Sequence, residues 1–230
     1  MRRITLLFVL LHLSFATPFW AQTFQNLDFE LANVSNLPPN QFEIISTTNG
    51  LPGWTAYIGA NQQTQVSHNG ITLGAANVGV FGPDYALGLH AIEGIYSAIL
   101  QDGGTPDQGA QPASIAQTGE IPAWANSLRF EGTLSFGSAT FKDNVAVSIN
   151  GQNIPVVQIG GNVYGCDVSA FTNSVNELSF SMVTNYGNAL ILLDNISFSP
   201  QSIPEPTVLD LSAMGMVMVV FLYSIRRKAI

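Results

Sequence analysis

The chain has little with which to cross-link itself or to hold a polyanion. A single cysteine, Cys166, in 230 residues excludes an intrachain disulfide, so the fold must be held by its core. Charged residues make up only 10% of the sequence, and five of its seven lysines and arginines are Arg2, Arg3, Arg226, Arg227 and Lys228. Between Gln22 and Ile203, thirteen carboxylates therefore face only Arg129 and Lys142, and thirteen minus two leaves a formal −11. Phosphate binding needs a basic surface, which excludes nucleic acid as a partner. Histidine is equally scarce: His68 and His90 are the only two in that interval, and neither lies in an HExxH or GxSxG setting. Cys166, between Gly165 and Asp167, has no cue for an activating histidine and reads as a buried, inert thiol. A glycosidase needs only two carboxylates, but no pair is singled out by its neighbours, so the protein is expected not to be an enzyme.

Long apolar runs occur only at the two ends. Arg2-Arg3, a mostly apolar stretch at 4–15 and small residues before Gln22 have the layout of a secretory signal peptide, with cleavage expected after Ala21. At the other end Ile203-Pro204-Glu205-Pro206 precedes an apolar run at 211–225 and the basic end Arg226-Arg227-Lys228. Two prolines bracketing a carboxylate cannot continue a helix or a central strand, which keeps this segment extended and accessible. The apolar run is shorter than the roughly 20 residues a helix needs to span the hydrocarbon core, and its cations favour the cytoplasmic side. The expected organisation is a signal peptide at 1–21, one domain at 22–200 and a sorting tail at 201–230.

Within the domain the periodicity is that of strands. Leu128, Phe130, Gly132, Leu134 and Phe136 alternate with Arg129, Glu131, Thr133 and Ser135. Val145, Val147 and Ile149 lead into Asn150-Gly151, a strong two-residue turn signal, so a hairpin with a return strand at 154–159 is expected. Leu178, Phe180 and Met182 alternate again, and 190–198 runs apolar before alternating at Ile196 and Phe198. Further strands are expected at 24–31, 53–58, 85–92 and 95–100. No window shows a helical stripe, and many strands without βα alternation indicate an all-β, antiparallel sandwich or barrel between a signal helix and a C-terminal apolar helix. The acidic stretch Asp102-Gly103-Gly104-Thr105-Pro106-Asp107 lacks calcium-loop spacing and reads as a solvated connection.

Two resemblances follow from these motifs. Pro204-Glu205-Pro206, the apolar run and Arg226-Arg227-Lys228 resemble the PEP-CTERM sorting signal of exported bacterial proteins. That resemblance implies export to the cell envelope, surface or matrix, with an exosortase, the export machinery and the membrane as partners; Asp210, Met214, Met216 and Met218 depart from the usual pattern. The opening Asn26-Leu27-Asp28-Phe29-Glu30, the early Gly53-Trp54 and the closing Asp194-Asn195-Ile196-Ser197-Phe198 resemble the galactose-binding-like jelly roll of many carbohydrate-binding modules. In that family a structural calcium often joins the first and last strands, which places Glu30 and Asp194 as the implied ligands. The alternative for both is a strand-end carboxylate at the surface, with Asp194 accepting backbone N–H bonds in a turn.

Sugar binding requires aromatic faces beside amides and carboxylates at an exposed edge. Trp54 behind Pro52-Gly53 reads as a core plug, whereas Trp124, Tyr186 and Tyr85 stand on expected connections and are the first candidates for ligand contact. The leading expectation is a non-catalytic surface or extracellular-matrix protein associating with extracellular polysaccharide. A lectin-like module with a defined glycan site and a divergent glycoside hydrolase are the alternatives.

Overall fold

The computed structural model describes residues 22–34, 42–82, 90–105, 109–136, 140–183 and 189–203. Sixteen strands follow one another along these segments. They are β1 (Glu43–Ser46), β2 (Thr55–Ile58), β3 (Asn61–Gln63), β4 (Gln65–His68), β5 (Asn77–Phe81), β6 (Ser97–Gln101), β7 (Gly103–Thr105), β8 (Gly109–Gln111), β9 (Ala113–Ile121), β10 (Ser127–Phe136), β11 (Val145–Ile149), β12 (Gln152–Ile154), β13 (Val157–Gly160), β14 (Val163–Asp167), β15 (Ser174–Met182) and β16 (Leu190–Ser199). Eight form one sheet in the order β1-β4-β5-β6-β16-β10-β14-β13 and six form a second in the order β12-β11-β15-β9-β2-β3, while β7 and β8 make a separate ribbon. All pairings are antiparallel except β4 with β5. The all-β sandwich expected from periodicity is present.

The inward residues of the longest strands make the core between the sheets. Phe130 on β10 meets Phe180 on β15 edge-on at 5.1 Å and stacks near Tyr164 of β14 at 6.0 Å. Trp54, just ahead of β2, packs against Phe180 and Phe29. Phe141, on the four-residue helix Phe141–Asn144, lies against Gly132, where a Cβ would stand 2.1 Å from its ring. The ring occupies the space that a larger residue would fill.

A second apolar cluster lies outside the sandwich. Phe81, Ile99, Leu190 and Leu192 are buried on the far side of the larger sheet, with Ile71 and Ile92 packed on them. The start of β16 is therefore dry on both faces, because Ile191 and Leu193 point into the main core. This is why 190–193 reads as an unbroken apolar run.

Five expectations change. Of the strand expected at 85–92, residues 85–89 lie outside the described residues and 90–92 form no strand. Residues 24–26 are irregular and 27–31 form turns instead of a strand, with Asn26 and Phe29 in the left-handed region at φ 50° and 58°. The return strand at 154–159 is divided: β12 pairs with β11 in the smaller sheet, while β13 pairs with β14 in the larger. Pro155 lies between them, where the missing N–H cannot serve a ladder. Asp102 is buried at 1% exposure, not solvated, and β7 and β8 follow it. Two four-residue helices also occur, Thr47–Gly50 and Phe141–Asn144, both too short to show a stripe. Among the described residues no helix is long and apolar enough to cross a membrane; the run at 211–225 and the signal region at 1–21 lie outside them.

Candidate functional site

Glu30 and Asp194 come to the same loop, residues 93–97. The turn holding Glu30 is fixed from inside: Trp54 Nε1 donates to Asn26 O at 2.9 Å, Asn26 Oδ1 accepts from Leu31 N at 2.9 Å, and Phe29 is fully buried. Glu30 Oε1 then accepts the backbone N–H groups of Ile95 and Tyr96 at 2.7 and 2.9 Å. Gly94, at φ +61°, sits so close that a Cβ would lie 2.3 Å from that oxygen. From the other side Asp194 Oδ2 accepts from Ser97 Oγ at 2.6 Å and Glu93 N at 3.2 Å, and its Oδ1 accepts from Asn195 N at 2.8 Å. Asp194 is 1% exposed, and burial pushes its pKa up to about 6 despite these bonds, with the Glu30 charge adding to the rise. Asp194 is thus buried, not at the surface, while the backbone N–H bonds that the alternative to calcium gave it are present at Glu93 and Asn195.

Calcium is compatible with this junction in donor type and charge. Its preference is for six to eight hard oxygens, and two neighbouring carboxylates, one of them destabilised by the other, would be relieved by a divalent cation. Among the described residues no group of three His, Cys, Asp or Glu side chains is disposed to hold a metal. The remaining ligands would have to be backbone carbonyls, amide oxygens or water.

Beside the junction, a bulge opens a cleft. Arg129 pairs with Ser197 and Glu131 with Asp194, so one residue of β10 faces two of β16. Asn195 absorbs the extra length at φ +49°, a conformation asparagine tolerates better than most. Leu193 and Ile196 both remain in the core, and the residues between them, Asp194 and Asn195, take the outer side. Arg129, Phe130, Glu131, Val163, Asn195, Ile196 and Ser197 line a cleft of about 260 Å³ on that face. Asn195 Nδ2 donates to Glu131 Oε1 at 3.2 Å and also to Glu93 Oε2.

Of the aromatic candidates, Trp124 lies in the turn between β9 and β10 and is 56% exposed. Tyr85 and Tyr186 lie outside the described residues, as do Pro204, Glu205, Pro206, Arg226, Arg227 and Lys228. Trp54 is a buried plug, as its position after Pro52-Gly53 indicated. Burial pushes the Cys166 thiol up to about 12, which makes it inert. His68 is buried with its pKa lowered by desolvation, partly offset by Glu43, and its Nδ1 has no partner among the described residues.

Sequence reasoning missed Arg129, Glu131, Glu93 and Asn195 as a group. One signal was available: inward positions run 191, 193, 196 and 198, a slip that marks a bulge.

No protein family matches the chain, and no characterised protein matches it in sequence. Several solved structures show weak likeness. A Vibrio cholerae secreted serine protease, VesC, matches at 16% identity and TM-score 0.32 over 56% of this chain and 25% of its own. The module TmCBM61, solved with β-1,4-galactotriose, matches at 11% identity and TM-score 0.36 over 78% of this chain and 99% of its own. A family 11 carbohydrate-binding module from Clostridium thermocellum, solved with a mixed-linked tetrasaccharide, matches at 12% identity and TM-score 0.37 over 71% and 98%. Similarity at this level assigns no ligand and no activity.

Proposed function

We propose that this chain is a non-catalytic exported protein of the jelly-roll type, held at the cell envelope or matrix by its tail and associating there with polysaccharide. The observation that carries the reading is the open outer face of β10, β14 and the end of β16, where charged and amide side chains surround a cleft in a domain with very few cations. Such a face suits hydroxyl-rich ligands, whose recognition needs fixed donors and acceptors at a shaped surface. Trp124 supplies one exposed ring at the end of the same strands. Export, the sorting motif Pro204-Glu205-Pro206, the terminal cations and an exosortase partner rest on the sequence resemblance. The direct test is cell fractionation and intact mass in the native host, comparing the parent with a variant carrying alanine at all three motif positions. Loss of the tail and release of the body in the parent alone supports sorting; an uncleaved, membrane-held chain in both sinks it.

Calcium at the Glu30–Asp194 junction belongs to the same reading as a structural cofactor. A ligand bound only by the folded state stabilises it by mass action, so chelation is expected to lower Tm and millimolar calcium to restore it. An unchanged melt removes calcium from the reading without touching the fold.

A further inference from the structure

We infer that the cleft around Arg129 is a subsite for one neutral sugar unit with vicinal hydroxyls, which gives the polysaccharide reading a place on the molecule and rests on that reading. Arg129 is one of only two cations between Gln22 and Ile203. It is half-buried, yet among the described residues it makes no ion pair; its one side-chain hydrogen bond is a long one, Nε to Ser127 Oγ at 3.4 Å. A guanidinium in a body of thirteen carboxylates, held on a strand and left without an anion, is a set of fixed donors facing the cleft. The opposite requirement is met by Glu131, a strand neighbour on the same side. Asn195 Nδ2 holds its Oε1, and no donor among the described residues takes its Oε2. Vicinal sugar hydroxyls both donate and accept, so an arginine and a carboxylate on one wall match them, and where an aromatic face was expected Val163 offers a small apolar surface to the ring C–H groups.

Size and charge narrow the class. A volume of about 260 Å³ lies just below the range of drug-sized pockets, roughly 300–1,000 Å³, and suits a single ring. The formal −11 of the body opposes a polyanionic chain at long range. Glu93 and Glu131, bridged by the same amide, oppose a carboxylated sugar locally. The bulge at Asn195 determines the site, because without it Asn195 would turn to the core and release Glu131.

The test is saturation-transfer NMR and calorimetry on the full chain in mild detergent, with glucose-, galactose- and mannose-based neutral oligosaccharides as probes. Arg129→Ala and Glu131→Gln are each expected to weaken binding at least about tenfold, the scale of a charged hydrogen bond. Ser197→Trp, at an exposed position on the rim, is expected to abolish binding while the melting curve stays put, which covers the case of an unstable Arg129 variant. Binding that survives all three variants overturns the subsite, and its loss on Trp124→Ala alone would move the site to the turn. If the unmodified chain binds no probe, the subsite falls as well. Co-sedimentation with the host's own polysaccharide then separates the two ideas: retained association leaves the broader reading standing, and lost association ends both.

Discussion

Over β5, β6 and the start of β16, the outer face of the larger sheet is sealed by Ile71 and Ile92 on Phe81, Ile99, Leu190 and Leu192. Over β10, β14 and the end of β16, the same face is open and carries Arg129, Glu131, Asn195 and Ser197. One sheet thus has a structural half and a half available to a ligand, and the bulge at Asn195 is the seam between them. The lesson is that covering one half fixes β16 firmly enough for the other half to present polar groups in set positions.

The sharpest way to break this contrast is truncation on each side. Leu192→Ala, on the sealed half, is expected to cost about 2–5 kcal/mol, whereas Val163→Ala, in the cleft, should cost under about 1 kcal/mol. Urea unfolding followed by tryptophan fluorescence measures both, and equal losses would erase the distinction. Next in size is the seam itself. Asp194 has a folded pKa near 6 against about 4 unfolded, so its contribution is full below pH 4 and is lost as pH rises through 6. In calcium-free buffer, stability should fall by on the order of 2–3 kcal/mol across that window, and Asp194→Asn should flatten the slope. A flat parent profile would show that Asp194 is better solvated than its burial indicates.

Smaller effects test how the loop at 93–97 is held. Gly94→Ala meets both a left-handed backbone and the Glu30 carboxylate, and should cost roughly 1–3 kcal/mol. Gly151→Ala, at φ +77° with open space around it, meets only the backbone term of roughly 1 kcal/mol. The difference in Tm between the two variants measures the Glu30 contact, and identical shifts would show that Glu30 yields freely. Trp124→Ala is expected to change stability by less than about 0.5 kcal/mol, because the ring is mostly outside the core.

The contrast between the halves was written in the sequence of β16. Residues 190–193 are apolar without interruption where both faces are covered, and the alternation resumes at Ile196 and Phe198 where one face is open. The Asn150-Gly151 turn was equally legible, with φ of 50° and 77° as a two-residue hairpin requires. Residues 24–31 misled because Phe24, Leu27 and Phe29 look like a strand, while the left-handed Asn26 and Phe29 leave no mark in composition. Glu30 and Asp194 carried the motif of their resemblance, but nothing local shows that Ile95 and Tyr96, 65 and 66 residues beyond Glu30, are what it grips. Arg129 was visible as a rare cation and not as part of a site, since its cleft needs β14 and β16 beside it.

Beyond Ser199 the chain is clasped before it leaves the sandwich. Asn126 Nδ2 donates to Pro200 O at 2.6 Å, Ser127 Oγ donates to Gln201 O at 2.7 Å, and Ile203 lies where Gly165 has no Cβ. Any tension arriving through residues 204 onward would pull along β16, a strand bonded to β6 on one side and β10 on the other. Ladder bonds lie across the strand, so such a load is shared by many at once in shear instead of opening them one after another. A load entering at Ile203 therefore meets the ladders of β6 and β10 together.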